Sequence, residues 1–150
     1  MNREMLLEKA EELIAHHEGF SPKPYRCPAG KLTIGFGRNL EDKGISLNEA
    51  KMLLQHDVWD AYKDCIIVAH ENKVNFHVLP FTVKLALIDM AFNLGINGLR
   101  TFKRMWNAIF EKNWEKAALE ALDSKWAIQV GKRATDIADL IRKAGDEYEI

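Results

Sequence analysis

The chain has 150 residues, 47% of them apolar and 29% charged, with 21 basic side chains against 22 acidic ones. That length suits one ordinary domain that hides roughly 70% of the surface of its unfolded chain, so folding needs neither a disulfide nor a cofactor. The near-neutral balance argues against a nucleic-acid-binding protein, and Cys27 and Cys65, lacking CxxC or Cys/His metal spacing, read as free thiols of a reducing compartment.

The N-terminal stretch MNREMLLEKAEELIAHH carries charge in every turn. It therefore lacks the unbroken apolar run of a signal peptide or a spanning helix, and the expected location is the cytoplasm, without stable membrane association. Met5, Leu6, Ala10, Leu13, Ile14 and His17 fall at helical spacing and predict an amphipathic first helix, ended by Gly19 and Pro22. Glu18 then lies at or just past the helix C-terminus, where carbonyl dipoles disfavour negative charge.

From Ser21 to Asn39 the texture changes to Pro, Gly and short apolar pieces. KPYRC and KLTIGFG, separated by Pro28, Ala29 and Gly30, predict a hairpin or a three-stranded sheet too small to stand alone. Ser46-Leu47-Asn48-Glu49 has the form of a capping box, and Leu47, Ala50, Leu53, Leu54, Val58, Ala61, Tyr62, Cys65 and Ile66 continue as a long helix. Further helices are predicted over about 81–94, stopped by Gly95, and over 101–110, 114–122 and 132–143. The expectation is an α+β fold, mainly helical. A small N-terminal sheet lobe is joined by the long helix to a helical C-terminal lobe, with a ligand cleft between them.

Three side chains near the sheet carry possible chemistry. Glu18, after two histidines and before a glycine, reads equally as a solvated acid or as a general acid. Cys27 by itself is ordinarily a small core residue, yet its neighbours Arg26, Pro28 and Gly30 form a polar loop in which a thiol beside a cation can ionise. Thr33 is either a strand residue chosen for its branching or a hydroxyl that orients water. Gly35 and Gly37 fail as a nucleotide-binding loop because Leu40 stands where the third glycine belongs. The five histidines contain no HExxH, so no metal is expected. Trp59, Trp106 and Trp114 read as core, while Trp126 lies among charged residues in what looks like an irregular link.

The segment LIAHHEGFSPKPYRCPAGKLTIGFGRNL resembles the catalytic segment of phage-type lysozymes, the endolysin muramidases of glycoside hydrolase family 24. The family pattern is Glu-Gly at the end of the first helix, eight residues to an Asp or in some members a Cys, five more to a Thr, then Ile-Gly-x-Gly; Glu18, Cys27, Thr33, Gly35 and Gly37 match it. DMAFNLGINGLRTF is similar to the family's cleft-lining segment, and NWEKAALEALDSKWAIQVGKRA to the segment with a Trp followed seven residues later by an Arg.

The resemblance implies a single lysozyme-like domain over 1–150, with lobes of approximately 13–58 and of 1–12 plus 59–150. It implies hydrolysis of the β-1,4 bond between N-acetylmuramic acid and N-acetylglucosamine of peptidoglycan, with Glu18 as proton donor and Cys27 and Thr33 on the other face of the sugar. Phe92, Asn93 and Trp126 would contact the glycan, Arg133 would pair with the catalytic Glu18, and Arg38 would pair with Asp57. No cofactor is implied. The partner is the glycan strand, met by a monomer that depends on a holin for release from the cytoplasm of a host carrying a phage or prophage. The departure is Cys27, a thiol where glycoside hydrolysis usually employs a second carboxylate. The alternatives are an inactive peptidoglycan-binding module of the same fold and a lytic transglycosylase.

Overall fold

The structure is a computed structural model and describes residues 2–148. The fold is α+β and mainly helical, with seven α-helices and one three-stranded antiparallel sheet among the described residues. Two compact units are distinguished, Met1–Met52 and Leu53–Ile150.

In the first unit, α1 spans Arg3–Glu18. Asn2 caps it, its side-chain oxygen accepting the Met5 N–H at 2.8 Å, and Glu4 in the first turn complements the helix dipole. No residue of α1 is buried, and Met5, Leu6, Leu13 and Ile14 are each about half exposed. The apolar positions of α1 form a helix but are not buried residues of the core.

The sheet follows in the order β1 (Ser21–Arg26), β2 (Leu32–Gly35), β3 (Arg38–Asn39). Pro22 and Pro24 have no N–H to give to a ladder, which fits β1 at an edge of the sheet. Arg26 pairs with Leu32 and Tyr25 with Thr33, and the register then shifts before Ser21 meets Gly35. Thr33 pairs on its other side with Asn39, which places it in the central strand, and it is 4% exposed.

The long helix α2 (Leu47–Glu71) opens on the expected capping box. The Ser46 N–H donates to Glu49 Oε1 at 2.8 Å, and the Glu49 N–H donates to Ser46 Oγ at 3.1 Å. Glu49 also receives the Arg38 guanidinium through both carboxylate oxygens, while Arg38 donates to the Gly44 carbonyl at 3.1 Å. This corrects the expected partner of Arg38. The acid is Glu49 in the first turn of α2, not Asp57, because the chain between Arg38 and Ser46 turns tightly enough to bring the capping-box glutamate onto β3.

The second unit is helical. After a short 3-10 turn at Phe76–Val78, α3 (Phe81–Arg100) is broken at Gly95, whose φ of 74° and ψ of 172° are not helical. The predicted stop is thus real, but helix resumes beyond it. Then come α4 (Lys103–Phe110), α5 (Trp114–Leu122), α6 (Lys125–Val130) and α7 (Lys132–Arg142), with a 3-10 turn at Lys143–Tyr148. Buried Ala117, Ala118 and Ala121 on α5 and Ala134 and Ala138 on α7 leave little side chain between these two packed helices. Larger side chains of the core include Val68, Leu87, Met90, Leu99, Met105, Ile109, Ile137 and Ile141, with Trp106 fully enclosed and its indole N–H given to the Leu99 carbonyl at 3.3 Å.

Two tryptophans differ from the sequence expectation. Trp59 is 58% exposed and stacks on Tyr62. Trp126 lies on α6, not in an irregular link: Ser124 caps this helix by accepting the Ala127 N–H, and Gly131 at φ 59° ends it. Six residues are too few for a helical period to declare itself in sequence. No helix among the described residues is long and apolar enough to cross a membrane.

The Arg38 fork and the Ser46 N–H pull the Glu49 carboxyl down to about 2 from an ordinary 4.5. A carboxyl depressed in the folded state stabilises the fold above its unfolded pKa, and that contribution disappears as the pH falls through the folded value. Wild type should therefore unfold at a higher temperature than Glu49→Gln at about pH 6, with the difference shrinking below about pH 4.5 and gone near pH 2. Thermal melts of the two proteins over that range test it.

Candidate active site

Glu18 is the last residue of α1. Gly19, at φ 69°, returns its N–H to the Ala15 carbonyl at 2.9 Å and turns the chain off the helix axis into β1. The Glu18 side chain is exposed and lies against the turn between β2 and β3. A Cβ at Gly37 would stand 2.6 Å from Glu18 Oε2 and 2.7 Å from its Cδ, so the carboxylate fills the space a side chain at 37 would need. Gly37 also has φ 81°. Gly35 has φ 70° but open space where its Cβ would point, so only its backbone conformation calls for glycine.

Cys27 sits in the turn between β1 and β2, half-buried and free. Its N–H donates to the Lys31 carbonyl at 2.9 Å, and its own carbonyl accepts the Gly30 N–H at 2.7 Å, which folds residues 27–31 into a closed loop. The thiol is thereby set among N–H groups. The Lys31 N–H lowers its pKa most, partial burial opposes, and the Ala29 N–H and the Thr33 hydroxyl lower it further. Thr33 reaches across from β2, its Oγ1 2.8 Å from the Lys31 carbonyl oxygen. Cys65 is the contrast: fully buried on α2, it is pushed up to about 12, mainly by desolvation. In the first unit Glu18 thus lies at the turn that follows β2, beside Gly37, while Cys27 lies in the turn that precedes β2, with Thr33 and Gly35 on the strand between.

The second unit carries the other candidates. Asn93 on α3 accepts the Trp126 indole N–H at 2.7 Å, and Trp126 meets Phe102 edge to face. Trp126 is only 6% exposed, so it fixes the Asn93 amide and packs against the core. Phe92 is 43% exposed and lines, with Asp57, Asp60, Asp64 and Gly95, an open recess of about 230 Å³. Arg133 on α7 donates from Nε to Asp89 Oδ1 at 2.7 Å and from Nη2 to the Asp89 carbonyl. Within the second unit the partner of Arg133 is thus Asp89. The packing of α3 on α7 brings together two residues 44 apart in sequence. Asp89 was visible at the start of DMAFNLG, but nothing local marks it as a partner for a residue so distant. Among the described residues no group of three or more His, Cys, Asp or Glu is arranged to hold a metal ion.

The sequence pattern of the phage lysozyme family matches residues 15–146. The chain is 24% identical to probable T4-type lysozyme 1 of Dictyostelium discoideum, over 91% of this chain and 95% of the relative. It is 30% identical to the pre-baseplate central spike protein Gp5 of Enterobacteria phage T4, over 87% of this chain but 27% of that protein. It is 33% identical to the SAR-endolysin of Escherichia phage P1 over 61% of this chain and 48% of the relative.

Replacing Gly37 by alanine adds the strain of a left-handed backbone, about 1–2 kcal/mol, and drives a methyl into the Glu18 carboxylate. Gly35→Ala adds comparable backbone strain alone. Both variants should lose stability in denaturant melts by about that backbone strain, and only Gly37→Ala should also displace the Glu18 carboxylate, read as a shift of the Glu18 side-chain NMR signals that Gly35→Ala does not show.

Proposed function

The chain belongs to the phage lysozyme family, and we propose that it is an endolysin muramidase hydrolysing the β-1,4 bond between N-acetylmuramic acid and N-acetylglucosamine in peptidoglycan. At the coarser level it is a lysozyme-type glycosidase. What supports the finer reading is that the first unit carries both a helix-end carboxylate seated against Gly37 and, at the other end of β2, a thiol whose neighbouring N–H groups favour its anion, beside a buried threonine.

In the proposed reaction Glu18, as the neutral acid, gives its proton to the glycosidic oxygen while the bond to the muramic acid C1 breaks. The Cys27 thiolate takes a proton from a water that Thr33 orients, and the water oxygen bonds to C1. The products are a reducing muramic acid end and a free 4-hydroxyl on the next sugar. Solvent then removes the proton from Cys27 and returns one to Glu18, so no net charge or redox change is left. Two features support the thiolate as base. Its N–H surroundings favour the anion, and the adjacent Thr33 hydroxyl gives a water a second hold. One attack on C1 by water inverts the anomeric configuration, and in this chemistry the water needs room between the acid and the base.

Phe92, Asn93 and Trp126 belong to the same proposal as glycan contacts, with Trp126 acting through Asn93, to which it is bonded. The protein would act as a monomer on glycan strands and lyse its host once a holin opens the way to the wall. Cells expressing the protein alone should stay intact and should lyse when a holin is co-expressed.

Purified peptidoglycan digested in reducing buffer by wild type, Glu18→Gln, Cys27→Ala and Cys27→Asp tests the chemistry. Wild type should release reducing muramic ends of inverted configuration by mass and NMR. Glu18→Gln should lose at least about 100-fold, the ordinary contribution of a general acid, and Cys27→Asp should recover activity lost in Cys27→Ala. Anhydro-sugar products would identify a lytic transglycosylase, and wall binding without release an inactive binding module; either result sinks the muramidase reading.

A further inference from the structure

We propose that Glu41 is a positioning residue for Cys27, a single carboxylate oxygen that clamps both ends of the turn carrying the thiol. The proposal rests on the reading of Cys27 as part of the active site. Glu41 lies two residues past the end of β3, and its Oε1 accepts the Arg26 guanidinium at 2.7 Å and the Leu32 N–H at 3.0 Å. Arg26 and Leu32 are the last and first strand residues on either side of the turn, paired with each other across the ladder. The same Arg26 Nη1 donates to the Gly30 carbonyl at 3.0 Å, inside the turn. One oxygen thus fixes the strand before Cys27, the strand after it and, through Arg26, the tip between them.

What that clamp holds is the set of donors around the sulfur. The Lys31 and Ala29 N–H groups belong to the turn itself, and Thr33 is one residue past the clamped Leu32. The charged side chains on the turn and beside it stand as two pairs, Arg26 with Glu41 at 2.7 Å and Lys31 with Asp42 at 3.4 Å. Both reach solvent, the Arg26 side chain being 66% exposed and that of Glu41 37%. As ion pairs they add little to stability. The contribution of Glu41 is geometric, because its oxygen also satisfies the Leu32 N–H at the mouth of the turn.

This role and a purely electrostatic one move the thiol in opposite directions. If Glu41 only neutralises Arg26, removing it leaves an uncompensated cation beside Cys27 and makes the thiol more acidic. If Glu41 clamps the turn, removing it lets the N–H donors disperse and makes the thiol less acidic. Glutamine at 41 keeps the accepting oxygen without the charge.

The test is the pH profile of iodoacetamide alkylation, whose rate follows the thiolate population. Intact-mass detection and fully buried Cys65 make the first label report on Cys27. The clamp predicts that Glu41→Ala alkylates about three-fold or more slowly than wild type at neutral pH, with its profile moved to higher pH, and that Glu41→Gln stays near wild type. An unchanged or faster Glu41→Ala overturns the proposal, as does a Glu41→Gln as slow as Glu41→Ala. Wall lysis by Cys27→Ala, measured alongside, separates this from the catalytic reading: full lysis there removes Cys27 from the chemistry, while the labelling result still decides the clamp.

Discussion

A carboxylate at the end of a helix has to be held somewhere, and here it is held by the absence of a side chain. The Glu18 carboxyl group rests where the Cβ of residue 37 would be, so the helix end and the turn between β2 and β3 approach to a distance that only glycine allows. Gly19 makes the approach possible by leaving the helix axis at a positive φ. Between these two glycines the chain runs out through β1 and back through β2, and Cys27 and Thr33 lie on that excursion.

The far end of the excursion decides the character of the thiol. Cys27 and Cys65 have the same side chain and opposite chemistry. The first is drawn toward its anion by the N–H groups of a five-residue turn, while the second, enclosed by apolar neighbours on α2, is held as an inert thiol. A loop that closes on itself supplies backbone donors at no cost in net charge. The small sheet is therefore less a core than a frame. Its one well-buried polar side chain, Thr33, faces the same turn.

The second unit reaches order by the opposite means. Its helices pack through alanines and enclosed aliphatic side chains, and its polar residues are oriented by that packing. Trp126, anchored in the core, fixes the Asn93 amide, and Arg133 is committed to Asp89 across two packed helices. Each pair spans more than thirty positions of sequence, as the separations of 33 and 44 show.

What the sequence determined by itself is whatever depends on neighbours along the chain. The periodicity of α1 and α2, the capping box at Ser46, the break at Gly95 and the spacing of Glu18, Cys27, Thr33, Gly35 and Gly37 are all local, and a reader of residues can find them. Tertiary structure alone decided the partners. Arg38 met Glu49 and not Asp57, Arg133 met Asp89, and Trp126 turned out to be helical and enclosed, because α6 is too short to show a period. The close seat of Glu18 on Gly37 and the hold of Glu41 on the Cys27 turn were equally invisible. A side chain's partner is set by how elements fold back on one another, and that information lies in the summed packing of the chain, not in any one stretch of it.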